Sequence, residues 1–123
     1  MLSVTAAVSA AVMFSGIAGA NELGRSLFET CRACHALDPS AKIMPGPNLA
    51  GLIGRKIAGD PKFDYSPVLR AAAAQGDWTR ERLDTFLRDP EAMFPGMWMT
   101  ARPMPDAAQR KALGDFLADP KSR

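Results

Sequence analysis

The chain has 123 residues, 47% of them hydrophobic and 23% charged, and its 15 basic and 13 acidic side chains give a net charge of +2. That length allows one domain, and a charge so near balance and so evenly scattered offers no block on which a polyanion would dock, so nucleic acid is not an expected partner. Two cysteines and one histidine also fall short of the four donors that most structural zinc sites require.

Residues 1–20 carry no charged side chain, are dominated by Ala, Val, Met, Phe and Ile, and finish in Ala18-Gly19-Ala20, a small-x-small cleavage signature. They read as a secretory signal peptide, although no Lys or Arg precedes the apolar stretch. An uncleaved anchor is the alternative. A span needs about 20 predominantly apolar residues, and this one is diluted by Ala, Ser and Gly, which favours cleavage. Removal of 1–20 would leave 21–123 as one domain with the same net charge. A domain that small buries a limited fraction of its surface, so a large apolar cofactor would extend its core considerably.

Over 22–34 the apolar positions Leu23, Leu27, Phe28, Cys31 and Cys34 recur at three- and four-residue steps, which predicts an amphipathic helix. Gly24 costs such a helix about 1 kcal/mol relative to alanine, and a close crossing with another helix would account for it. The helix delivers Cys31-Arg32-Ala33-Cys34-His35, which holds both cysteines and the sole histidine. Two thiols three positions apart followed at once by an imidazole form the pattern of covalent c-type haem attachment. On a helical turn both sulfurs share a face and can form thioethers with one porphyrin, while tethering keeps His35 beneath the iron as an axial ligand. Zinc would need a second donor cluster, and a dithiol oxidoreductase would need a strand-helix-strand setting that is scarce here. A plain disulfide leaves the adjacent histidine without a role. Export agrees with thioether chemistry, which takes place outside the cytoplasm.

Residues 36–66 are rich in Pro, Gly and Asp, include Met44-Pro45-Gly46-Pro47-Asn48, and have no sustained periodicity. A loop of that length in a small domain is normally functional, and wrapping one edge of a cofactor would order it. Residues 67–74 make a short helix that ends near Gly76. Thr79 caps a third helix, with Glu81 in its first turn, Leu83, Phe86 and Leu87 on its inner face and Asp89-Pro90 as its stop. Pro105 opens the last helix, whose buried face is Ala108, Ala112, Leu113, Phe116 and Leu117 and whose end is Asp119-Pro120. A second iron ligand would be a methionine sulfur from among Met44, Met93, Met97, Met99 and Met104. Methionine is usually flexible core packing, but Pro95-Gly96-Met97-Trp98-Met99 can form a tight loop, which favours Met97 or Met99.

Together these residues resemble class I c-type cytochromes, the family of mitochondrial cytochrome c and its soluble bacterial relatives. The resemblance rests on Gly24 and Phe28 ahead of Cys31-x-x-Cys34-His35, then Gly46-Pro47-Asn48-Leu49, Gly54-Arg55, Phe63-x-Tyr65-Ser66, Trp78, Leu83-x-x-Phe86-Leu87, Pro90 and Pro95-Gly96-x-x-Met99. It implies an all-α fold, several helices and long loops wrapped around one covalent haem c held through Cys31 and Cys34. It also implies Met99 as the iron ligand opposite His35, with Met97 a loop residue. Pro47 would accept the other ring N–H of His35 through its carbonyl, fixing the tautomer. Arg55, Tyr65 and Trp78 match positions around the haem propionates. Met97 and Trp98 stand where mitochondrial members place a propionate-binding threonine and a lysine, Glu91 and Ala92 replace lysines, and Leu69 replaces a haem-proximal asparagine. The ring of docking lysines is therefore thinned, and an apolar Trp98 near the haem edge would suit a partner contact.

An iron with both axial positions filled by protein has no place for a substrate, which argues for electron transfer and against an enzyme. The expected role is a periplasmic, monomeric one-electron carrier between respiratory or photosynthetic donor and acceptor complexes, without stable membrane insertion once the signal is cleaved. The alternatives are the haem c subunit of a dedicated dehydrogenase or related redox complex, and a peroxidase in which Met99 is labile.

Overall fold

The computed structural model describes residues 10–11 and 16–121. Most of the expected leader at 1–20 therefore lies outside the described residues. Its last five residues open helix α1, which runs Gly16–Phe28. The helix starts earlier and stops sooner than the apolar spacing predicts. Beyond Phe28 the hydrogen bonds shorten to three-residue steps, with Cys31 N–H on Phe28 O at 2.8 Å and Arg32 N–H on Glu29 O at 3.4 Å. The Cys31-Arg32-Ala33-Cys34-His35 pentapeptide thus follows the helix on a run of tight turns and is not on the helix itself.

Helix α5, Ala107–Ala118, is the principal partner of α1. Gly24 is the reason the two approach so closely. A Cβ at that position would lie 2.6 Å from Phe116 Cβ and would collide with the carbonyl oxygen of Ala112. Phe28 and Phe116 are each 1% exposed, and their rings meet at 5.8 Å between centroids. The Arg25 guanidinium covers the outer face of Phe116 at 5.2 Å. Three positions expected on apolar faces are exposed, Leu23 on α1, Cys34 just beyond it and Ala108 on α5. Gly24 meets α5 at Ala112 and Phe116, one turn beyond Ala108, so the first turn of α5 overhangs the contact. Asp106 caps that turn by accepting the Gln109 N–H at 2.8 Å.

Helix α2, Pro67–Ala72, continues into a 3₁₀ turn, Ala73–Gln75, and stops at Gly76, whose φ of +109° glycine adopts freely. Helix α3, Arg80–Arg88, begins where Thr79 Oγ1 accepts the Arg82 N–H at 3.1 Å. It buries Leu83 and Phe86, with Leu87 half-buried beside them. Asp89-Pro90 ends α3 as expected, but it also starts a further helix, α4, Pro90–Met93. Asp89 accepts the Ala92 N–H at 3.1 Å, and Pro90 at the first helical position has no N–H to leave unsatisfied.

Among the described residues there is no strand, only a single antiparallel bridge between Lys56 and Asp77. Around it Gly54 N–H bonds Trp78 O and Trp78 N–H bonds Arg55 O, both at 2.8 Å. This pairing ties the long middle loop to the segment ahead of α3. One apolar cluster joins all these pieces, with Phe28, Ile57, Leu83, Phe94, Met97 and Phe116 among its buried members. The architecture is all-α, as the sequence predicts.

Candidate functional site

The turn after α1 closes on one carbonyl. Cys31 O accepts the N–H of Cys34 at 3.1 Å and of His35 at 3.0 Å, which gathers the two sulfurs and the imidazole onto one turn. Both thiols are free, so no disulfide joins them. Burial pushes the Cys31 thiol above its ordinary pKa, against a weaker opposing contribution from the Thr30 hydroxyl. A catalytic dithiol needs an attacking thiol with a lowered pKa, the reverse of the direction at Cys31. Among the described residues no group of three or more His, Cys, Asp and Glu side chains is placed to hold a metal ion.

His35 is buried, and its Nδ1 lies 2.7 Å from Pro47 O. A carbonyl can only accept, so Nδ1 carries the proton and Nε2 keeps its lone pair in the neutral ring. Burial drives the imidazole pKa down, the Pro47 bond opposes this, and the charge of Arg55 adds to the depression. The ring is therefore held as a neutral nitrogen donor. Gly46 makes this possible, since a Cβ there would fall 2.6 Å from His35 Cε1 and 2.9 Å from Cys34 O. Its own N–H donates to Cys34 O at 2.8 Å, so the Gly46-Pro47-Asn48 segment is laid directly against the turn.

Asn48 carries the connection onward. Its carbonyl accepts from Arg55 Nη2 at 2.7 Å, while its side chain donates to Asp38 O at 2.6 Å and accepts from Ala50 N–H at 2.8 Å. Arg55 is half-buried, and its Nε is shut away from solvent with no hydrogen-bond partner. Ser66 Oγ shares that condition, with Ser66 only 2% exposed. Tyr65 is buried, accepts the Asp60 N–H at 3.1 Å and so keeps its O–H free to donate. Burial raises its pKa, with the nearby charge of Arg55 acting in the opposite direction. Buried donors without an acceptor are costly, and a guanidinium, a hydroxyl and a phenol fit the carboxylates of a porphyrin. The donor set therefore fits a haem. Ser66 was not singled out by sequence reasoning as a site residue, and only its place in Phe63-x-Tyr65-Ser66 marked it.

Trp78 is joined to Arg55 by the backbone pair described above, and its ring meets Phe86 edge-on at 5.4 Å and Phe94 at 6.2 Å. Met99 is linked to the other site residues by apolar packing. Cys31, Trp78 and Met99 all lie half-buried against the same core cluster, of which Met97 is a fully buried member. Leu69 packs there too. Trp98, between the two methionines, is 61% exposed and so is not folded against the protein.

No family-level sequence profile matches the chain. It is 38% identical over 95 residues to cytochrome c-550 of Ancylobacter novellus, covering 76% of this chain and 89% of that one. It is 42% identical over 74 residues to cytochrome c2 of Agrobacterium tumefaciens strain II Chrys, covering 59% of this chain and 67% of that one. The solved structure of cytochrome c2 from Rhodospirillum centenum superposes with a TM-score of 0.71 at 32% identity, over 79% of this chain and 94% of that one.

Proposed function

Because this chain belongs to the class I c-type cytochromes, electron-transfer proteins and not enzymes that carry one covalent haem c, we propose that it is a periplasmic one-electron carrier with His35 and Met99 as its iron ligands. When bound, the haem supplies a one-electron ferric/ferrous couple. The observation that carries the reading is the His35–Pro47 contact, which leaves Nε2 as a neutral donor on the same turn as both thiols. Cys31 and Cys34 would fix the porphyrin to that turn. Pro47 holds the ring in one tautomer and raises its donor strength. Arg55 and Tyr65 would hold the propionates, Trp78 would close the apolar wall beside them, and Met99 would supply a thioether that favours the ferrous state.

In this reading residues 1–20 direct export and are cleaved, leaving a monomer that meets donor and acceptor complexes through small, short-lived interfaces. The exposed Trp98 beside Met99 suits such a contact. Among the described residues no helix is long and apolar enough to cross a membrane. The test begins with a reduced-minus-oxidised visible spectrum and an intact mass of the chain from the periplasmic fraction. A c-type spectrum and a polypeptide lacking 1–20 but heavier by one haem are expected. Met99→Ala should abolish the sulfur-to-iron absorption of the ferric form, and an unchanged spectrum would assign the ligand elsewhere.

A further inference from the structure

Resting on Met99 as a ligand, we infer that Arg110, together with Asp84, is a positioning pair that fastens the Met99 segment to the helices behind it. Between Phe94 and Asp106 the chain has no helix or strand. Such a strap keeps a sulfur in one place only if its ends are held. At its entry the Gly96 N–H bonds Glu91 Oε1 at 2.9 Å, an exposed contact for which water competes. At its exit the Met104 N–H bonds Leu87 O of α3 at 2.8 Å.

The Met104 and Pro105 carbonyls both accept from Arg110 Nη1 of α5, at 2.9 and 2.7 Å. Arg110 Nε donates to Asp84 Oδ1 of α3 at 2.8 Å. Arg110 is only 6% exposed. A cation so enclosed depends on every partner it has, because losing one leaves charge uncompensated away from water. Two of its partners are strap carbonyls, so lifting the strap away from α3 and α5 strands the guanidinium. That penalty holds the strap down five residues beyond Met99.

The test is an imidazole titration of the ferric, haem-loaded protein, following loss of the sulfur-to-iron absorption as imidazole displaces Met99. Asp84→Asn and Arg110→Lys should each raise the apparent imidazole affinity roughly tenfold, the size expected when a charge-assisted bond holding the closed state is weakened. Arg80→Ala removes a different α3–α5 ion pair, with Asp115, that does not touch the strap, and should leave the affinity unchanged. Thermal midpoints are measured alongside. If both variants lose stability while binding imidazole no better than Arg80→Ala, the pair is structural only and the inference is overturned. Should Arg110→Lys fail to accumulate, Asp84→Asn decides alone, since that carboxylate is partly exposed. A Met99→Ala protein that keeps the absorption removes the ligand reading itself. One that loses it while Asp84→Asn leaves imidazole affinity unchanged removes the positioning role alone.

Discussion

The turn that carries Cys31, Cys34 and His35 leaves α1 directly and closes through backbone bonds spanning three and four residues, whereas Met99 hangs in mid-strap, fastened by groups from α3, α4 and α5. The first arrangement is local apart from the Gly46-Pro47 segment laid against it, with the α1–α5 crossing as its base. The second exists once three helices have assembled. The methionine side is therefore the one that loosens first under stress, while the cysteine-histidine side keeps its geometry until the α1–α5 pair comes apart.

The hardest blow to that contrast is Phe116→Ala, which empties the base beneath the turn and should cost about 3–5 kcal/mol in denaturant unfolding. A loss near zero would mean that the α1–α5 crossing does not support the turn. Gly46→Ala acts more narrowly, pressing a methyl group on His35 and the Cys34 carbonyl, and should cost about 1–3 kcal/mol with an altered ferric spectrum. An unchanged spectrum would show that the ring tolerates displacement from Pro47.

Acid sharpens the comparison most gently. The hydrogen bond from Arg110, ahead of the pair with Arg88, holds the Asp84 carboxyl below its ordinary pKa. A carboxylate depressed in the folded state contributes stability that is complete above its unfolded pKa of about 4 and fades as pH falls through the lower folded value. Unfolding midpoints measured downward from pH about 4 should therefore fall less steeply in Asp84→Asn than in the parent protein. Parallel slopes would remove Asp84 from the acid response.

Legibility in the sequence followed the physics of each feature. Thr79 as a cap and Gly24 as a crossing point were readable because each answers a local requirement, an orphan N–H or a missing side chain. Cys31-x-x-Cys34-His35 named its chemistry outright, yet its helical spacing concealed that the residues lie on turns. Asp89-Pro90 was read as a stop when it is also a start, because a proline that cannot continue one helix is well suited to the first position of the next. Arg110 was unreadable. A charged residue on a helix reads as solvated until Asp84 and two carbonyls are found around it, and those partners are fixed only by the assembled fold. Ser66 was obscured for a similar reason, since nothing local says that its hydroxyl will be sealed from water without a partner.

The contact between Gly24 and Ala112 joins positions on the order of ninety residues apart in the chain, so it can form only once nearly the whole chain has been synthesised. Until the C-terminal helix has emerged from the ribosome, the Gly24 face of α1 has nothing to close against. Throughout that interval the turn that carries Cys31 and Cys34 follows a helix whose partner is not yet in place.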